Sequence, residues 1–231
     1  MTSSDFAASA GAEASAGTRI KICGLTTLAD AQHALDAGAD YLGMNFIERS
    51  KRCVTTEELL PWWGELAGDV KRVALFQNAQ PRDVERVLNQ LSFDVLQFHG
   101  DESEAFCAGF GMPYWKAVRL PVGGSAYGDA FASVAQGYAS AEALLLDAVT
   151  VDAAGNTIAG GTGKQFDWAL WPQWSDRTLW LAGGLNPDNV AAGIVAARPW
   201  GVDVASGVES APGRKDPAKV ESFCANVKRL D

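Results

Sequence analysis

Eight short apolar or alternating segments recur along this chain, each followed by a stretch with helical character, and that alternation constrains the fold more than any other feature. The strand candidates are residues 19–23, 41–46, 72–76, 95–99, 115–118, 144–147, 179–182 and 202–205. The helix candidates are residues 27–37, 56–66, 81–91, 102–110, 127–138, 167–171, 187–197 and 217–230. Parallel strands need a crossover between them, usually a helix, so strict alternation predicts a parallel sheet. Eight units in roughly 210 residues predict a single closed (β/α)8 barrel. The competing arrangement is an open doubly wound sheet. The count of eight, and the lack of a dinucleotide glycine fingerprint after the first strand, favour closure.

Local signals mark several helix ends. Gln80-Pro81 and Asn186-Pro187 place proline at a first helical position, where its missing N–H costs nothing. Thr55-Thr56-Glu57-Glu58 supplies hydroxyls and acids to a first turn. Gly38 after Ala37 reads as a helix stop.

Residues 1–18 are rich in Ala, Ser and Gly and carry no Lys or Arg. They lack the basic start and apolar middle of a signal peptide and read as a short disordered extension. The barrel then occupies residues 19–231. The net charge of −9 argues against a nucleic-acid partner. No run of 18 apolar residues argues for a membrane span. The four cysteines are scattered without metal spacing, which predicts reduced thiols in a cytoplasm and no metal site. The eight tryptophans read as packing residues.

In a parallel barrel the carboxyl ends of all strands converge on one face, where chemistry is done. Here that face collects Cys23, Asn45, Gln77, His99, Arg119, Asp147, Gly183-Gly184 and Ser206-Gly207. Cys23 stands where the first strand hands over to a helix through Gly24. Asp147 ends the run Leu144-Leu145-Leu146. A desolvated carboxylate holds a proton near neutrality, and an accessible thiolate takes one. An acid and a base across a small cavity suit an isomerisation by proton transfer. Each residue alone is more often structural, and it is the pairing that favours function. His99 is open to two readings, a pocket residue or a satisfied core histidine, and His33 is read as structural.

The two glycine turns follow the seventh and eighth strands, where barrels frequently bind phosphate. Either turn alone is an ordinary turn; together, at those positions, Gly183, Gly184, Ser206 and Gly207 predict a phosphate cradle of backbone N–H groups. The basic loop Glu48-Arg49-Ser50-Lys51-Arg52 is either solvated surface or a carboxylate clamp centred on Arg52. Gly160-Gly161-Thr162-Gly163-Lys164 fails as a nucleotide loop. Ile158 stands where the first glycine belongs, and Gln165 where Ser or Thr belongs. The long segment 148–164 is instead expected to form a mobile active-site loop.

These motifs resemble those of the phosphoribosylanthranilate isomerase family. The resemblance is carried by Lys21-Ile22-Cys23-Gly24, Gln97-Phe98-His99-Gly100 and Leu145-Leu146-Asp147. It extends through the run from Gly160 to Trp168, that from Ala182 to Val190, and that from Val202 to Glu209, in the family's order from about residue 19 to the end. It implies an Amadori rearrangement of N-(5-phosphoribosyl)anthranilate in tryptophan biosynthesis. Cys23 is then the general base, Asp147 the general acid and Arg52 the ligand of the anthranilate carboxylate. The glycine turns hold the phosphate, and His99 and Asp203 are pocket residues. No cofactor is implied, because the substrate's own nitrogen is the electron sink, and no obligate protein partner is implied either.

Two departures from the family pattern stand out. Where an aromatic-proline pair usually precedes the Ser-x-Arg, this chain has Phe46-Ile47-Glu48-Arg49-Ser50-Lys51-Arg52, and Ala182 replaces a serine before Gly183. Two rival functions remain at this stage. One is the histidine-pathway aminoaldose isomerase, expected to carry a carboxylate where Cys23 stands. The other is a silent barrel that only binds a phosphosugar.

Overall fold

The computed structural model describes residues 17–66, 68–121, 127–151, 157–158, 171 and 176–230. The expected extension up to residue 16, the Gly160–Lys164 motif and most of the helix expected over 167–171 lie outside them. Eight parallel strands form the barrel: β1 (Arg19–Cys23), β2 (Tyr41–Asn45), β3 (Lys71–Phe76), β4 (Val95–Phe98), β5 (Tyr114–Pro121), β6 (Ala143–Val151), β8 (Leu179–Ala182) and β9 (Gly201–Val204). Each is hydrogen-bonded to its sequence neighbour in the barrel, β5 pairs with β6, and β9 returns to β1. The sheet is therefore closed, as the eightfold alternation predicts.

Helices α1 (Leu28–Asp36), α3 (Pro81–Leu88), α4 (Glu104–Ala108), α5 (Tyr127–Gly137), α6 (Val190–Ala197) and α7 (Pro217–Lys228) link the strands. Pro81 opens α3 after Gln80, and α1 stops at Gly38, with φ +89°. Thr55 and Glu58 form a reciprocal capping box at the start of α2 (Thr56–Leu59). The single helix expected over 56–66 is not observed. Pro61 follows α2 and cannot donate the next intrahelical bond, so the chain continues as a 3-10 turn at Trp63–Glu65.

Pro187 is likewise not a first helical residue. The Asn186 side chain accepts from the N–H groups of Asp188 and Asn189, a local turn that delays α6 to Val190. Strand β6 outruns its expected end at 147. It continues to Val151 and pairs antiparallel with β7 (Thr157–Ile158), so part of the expected loop is a hairpin.

Period-2 alternation sorts the strand residues into two cores. Outward residues such as Ile20, Ile22, Leu42 and Leu144 pack beneath the helices. Inward residues Val73, Val95, Trp115, Ala117, Leu145 and Trp180 fill the barrel, joined by Tyr41. Trp115 and Trp180 lie 4.5 Å apart between ring centres, with Tyr41 about equally close to each, at 5.0 and 5.1 Å. Trp180 lies over Gly201, where a side chain would strike the indole. These rings close the amino end of the barrel, and the tryptophans of the barrel are packing residues as expected.

Candidate active site

At the carboxyl end, Cys23 is the last residue of β1 and only 5% exposed. Gly24, with φ +73°, turns the chain away at once. Its N–H and that of Leu25 both donate to the Gly43 carbonyl, at 2.9 and 3.0 Å. Burial is the largest influence on the Cys23 thiol and raises it; the Lys21 ammonium opposes that, and the net direction is upward.

Two loops brace this end of β1. After β2, Asn45 accepts from the Ile47 N–H and donates to Ser50 Oγ, which also accepts from the Arg52 N–H. This closed turn presents Arg52. Its Nε and Nη2 donate to the two carboxylate oxygens of Glu209, at 2.6 and 2.7 Å, a bidentate pair. Lys215, on the short strand β11 (Arg214–Lys215) paired with β10 (Glu209–Ala211), reaches under the same carboxylate. Its Nζ donates to Glu209 Oε1 at 3.1 Å and to the carbonyls of Cys23 and Ala205, at 2.6 and 3.0 Å. Burial alone raises the Glu209 carboxyl, but Arg52 and Lys215 outweigh it and hold the group below its ordinary range. Arg52 is thus a fixed fork, with its Nη1 edge making no hydrogen bond among the described residues.

Asp147 lies three strands from Cys23 in one direction around the barrel and five in the other. It projects from the middle of β6, level with Ala182 of β8 and Arg119 of β5. His99, just past β4, brings Nε2 to 3.4 Å from Asp147 Oδ2, each side chain being 23% exposed. Full burial is therefore not the environment of Asp147; a histidine partner and partial solvation are. His99 is a member of the site face rather than a core residue.

The third side of the mouth is backbone. Gly183 and Gly184 take consecutive left-handed conformations, φ +81° and +68°. The Asn189 side chain ties that turn, donating to the Gly184 carbonyl at 2.9 Å and accepting from the Asn186 N–H at 2.8 Å. Ser206 and Gly207 open a single 3-10 turn ending at Val208. A side chain on Gly207 would strike the Leu185 carbonyl, so the two glycine turns touch. None of the N–H groups of Gly183, Gly184, Ser206 and Gly207 has a hydrogen-bond acceptor among the described residues. Four neighbouring donors of this kind make an anion-binding concavity.

Every residue expected at the site is on this face or just below it. Asp203 is below: it points inward from β9 and accepts from Lys21 Nζ at 2.8 Å. Lys21, Glu209 and Lys215 join this end of the barrel without being among the residues expected at the site. For Lys21 the signal was present, since a lysine between two isoleucines, on the same strand face as Cys23, has to point into the barrel.

The N-(5'phosphoribosyl)anthranilate (PRA) isomerase family matches residues 20–226. The N-(5'-phosphoribosyl)anthranilate isomerase of Pseudomonas fluorescens is 43% identical over 211 residues, 91% of this chain and 96% of that one. That of Leptothrix cholodnii is 45% identical over 216 residues, 94% and 93% of the two chains. The crystal structure of phosphoribosyl anthranilate isomerase from Thermotoga maritima superposes with a TM-score of 0.81 at 36% identity, covering 92% of this chain and all of the other. A phosphoribosyl anthranilate isomerase in complex with reduced 1-(o-carboxyphenylamino)-1-deoxyribulose 5-phosphate does so with a TM-score of 0.77 at 34% identity, again over 92% of this chain and all of the other. A thiol and a carboxylate at one end of the barrel, a nest of backbone N–H groups between their strands and these likenesses agree, and the chain belongs to the N-(5'-phosphoribosyl)anthranilate isomerase family of tryptophan biosynthesis.

Proposed function

We propose that this chain isomerises N-(5'-phosphoribosyl)anthranilate with Cys23 as general base and Asp147 as general acid. The observation that carries the reading is their placement on one face, three strands apart across the mouth, with the nest of glycine N–H groups between them at the ends of β8 and β9. The phosphate would dock on Gly183, Gly184, Ser206 and Gly207. The anthranilate carboxylate would meet the Nη1 edge of Arg52, whose other edge Glu209 fixes. His99 holds Asp147 in place, and Asp203 acts from beneath through Lys21.

The chemistry divides between the two walls. Asp147 gives its proton to the ribose ring oxygen as the C1–O bond breaks, and the anthranilate nitrogen lone pair forms the C1=N iminium ion. The Cys23 thiolate takes the proton from C2, and that C–H electron pair neutralises the iminium as an enolamine. Loss of the C2 hydroxyl proton and protonation at C1 then give the aminoketose. One proton is supplied and one is taken, so the product is an isomer of the substrate. Free cysteines throughout the described residues suit a reducing cytoplasm.

The test is turnover of freshly generated substrate, followed as loss of its anthranilate-type fluorescence. Cys23→Ser and Asp147→Asn are each expected to lower kcat by about 10²–10⁴-fold, the scale of a general acid or base. Near-normal turnover in both variants would overturn the assignment. Activity on a histidine-pathway aminoaldose alone would overturn the substrate.

A further inference from the structure

Directly beneath the Cys23 thiol lies a buried cation that takes no part in the two proton transfers. Lys21 is the inward residue before Cys23 on β1, between the outward Ile20 and Ile22. Its side chain is wholly enclosed. Strand β9 sets Asp203 in register with it, and Nζ donates to Asp203 Oδ1 at 2.8 Å. A methyl group at Gly43 of β2, the residue in register with Cys23, would stand 3.0 Å from Cys23 Sγ and 3.1 Å from Lys21 Nζ. The thiol and the ammonium therefore meet over a wall position that carries no side chain. An ammonium has three protons to donate, Asp203 takes one, and the sulfur is within reach of another.

We propose that Lys21 is a positioning residue for the base: its ammonium, held by Asp203, is the counter-ion of the Cys23 thiolate. The proposal rests on Cys23 being the base. An unpaired charge is costly in an enclosed interior, so a buried thiol sheds its proton readily only beside a cation. The other charged groups facing Cys23 are Asp203 on β9, which disfavours the thiolate, and Lys215 behind it, which favours it. Arg52 acts from the loop after β2, whose inward residues near Cys23, Gly43 and Asn45, do not titrate. Lys215 and Arg52 are both committed to Glu209. Lys21 is thus the cation that stands beside the sulfur itself, across the bare position of Gly43. With Cys23 as thiolate, these six groups carry three charges of each sign, and the local interior is neutral in the form that must accept the proton.

The experiment is a pH titration of Cys23 by thiolate ultraviolet absorbance, taken as the difference from a Cys23→Ser partner in each background. Lys21→Met is expected to raise the midpoint by about one unit or more, leaving about ten-fold less thiolate below it. Its kcat falls by a similar factor with KM little changed. Lys21→Arg is expected to keep the midpoint near that of the parent. If Lys21→Met leaves Asp203 unpaired and unfolds the chain, Lys21→Met/Asp203→Asn removes the orphaned carboxylate. Its midpoint is still expected to rise, because the pull of Lys21 on the thiolate exceeds the repulsion by Asp203. An unmoved midpoint in folded Lys21→Met, or in folded Lys21→Met/Asp203→Asn, overturns the proposal, even where turnover falls. The base assignment fails separately, if Cys23→Ser retains normal turnover.

Discussion

Replacing Glu209 by glutamine tests whether the brace behind Cys23 is a buried charge network or a solvated surface pair. The Glu209 side chain is 5% exposed and that of Lys215 only 1%. Removing one partner from a buried pair costs about 3–5 kcal/mol, because the other charge is stranded. Two features place Glu209→Gln at the low end of that range. Lys215 keeps the Cys23 and Ala205 carbonyls as acceptors. Burial already lowers the Lys215 ammonium, and Glu209 is the main group raising it back, so without Glu209 the lysine can shed its proton instead of unfolding the site. The expected loss is about 3 kcal/mol, or about 6–12 °C in Tm for a domain of this size. The assay is thermal and urea unfolding, beside Arg86→Gln. Arg86 pairs with Asp83 at 3.5 Å on the helix surface, where an exposed pair is worth about 0–1 kcal/mol. A Glu209→Gln loss under about 1 kcal/mol, indistinguishable from that control, would refute the network.

The remaining predictions concern the same face. Because Glu209 is held below its ordinary value of 4.5, its contribution to stability is whole above that pH and is lost as pH falls through its folded value. The parent's stability is therefore expected to fall more steeply than that of Glu209→Gln in acid-unfolding curves below pH 4.5; parallel curves would refute this. Arg52→Ala is expected to raise KM more than it lowers kcat, and an unchanged KM with collapsed kcat would give Arg52 a transition-state role. Gly207→Ala, which drives a methyl group into the Leu185 carbonyl, is expected to part the two glycine turns. Inorganic phosphate should then lose about ten-fold or more of its strength as a competitive inhibitor, about 1.4 kcal/mol of binding, and unchanged inhibition would refute the cradle.

The order of elements was legible because each strand and helix carries its own period, and the list of strand ends followed from that order alone. Pro61 and Asn186 were visible too, yet their local chemistry was outweighed by the surrounding pattern; Pro61 shortens a helix by the hydrogen bond it cannot donate, and Asn186 by those its side chain accepts. The extension of β6 past Asp147 depends on a β7 partner some ten residues on. The Arg52–Glu209 fork joins residues 157 apart, and no local signal announces it. The same holds for His99 against Asp147, a contact that exists only once the sheet closes. Lys21 differs. Its inward direction follows from alternation, but its partners follow only from the register of β1 with β9.

The ring cluster at the amino end of the barrel has an optical consequence. Two indoles with centres 4.5 Å apart, fixed in orientation by Gly201 and Tyr41, behave as a coupled pair of chromophores. Their circular-dichroism band reports tertiary packing at the end of the molecule remote from the thiol. It should persist when the loops at the mouth loosen and disappear when the staves of the barrel part. Dichroism from below and anthranilate fluorescence from above would then separate loss of the scaffold from loss of the site in a single sample.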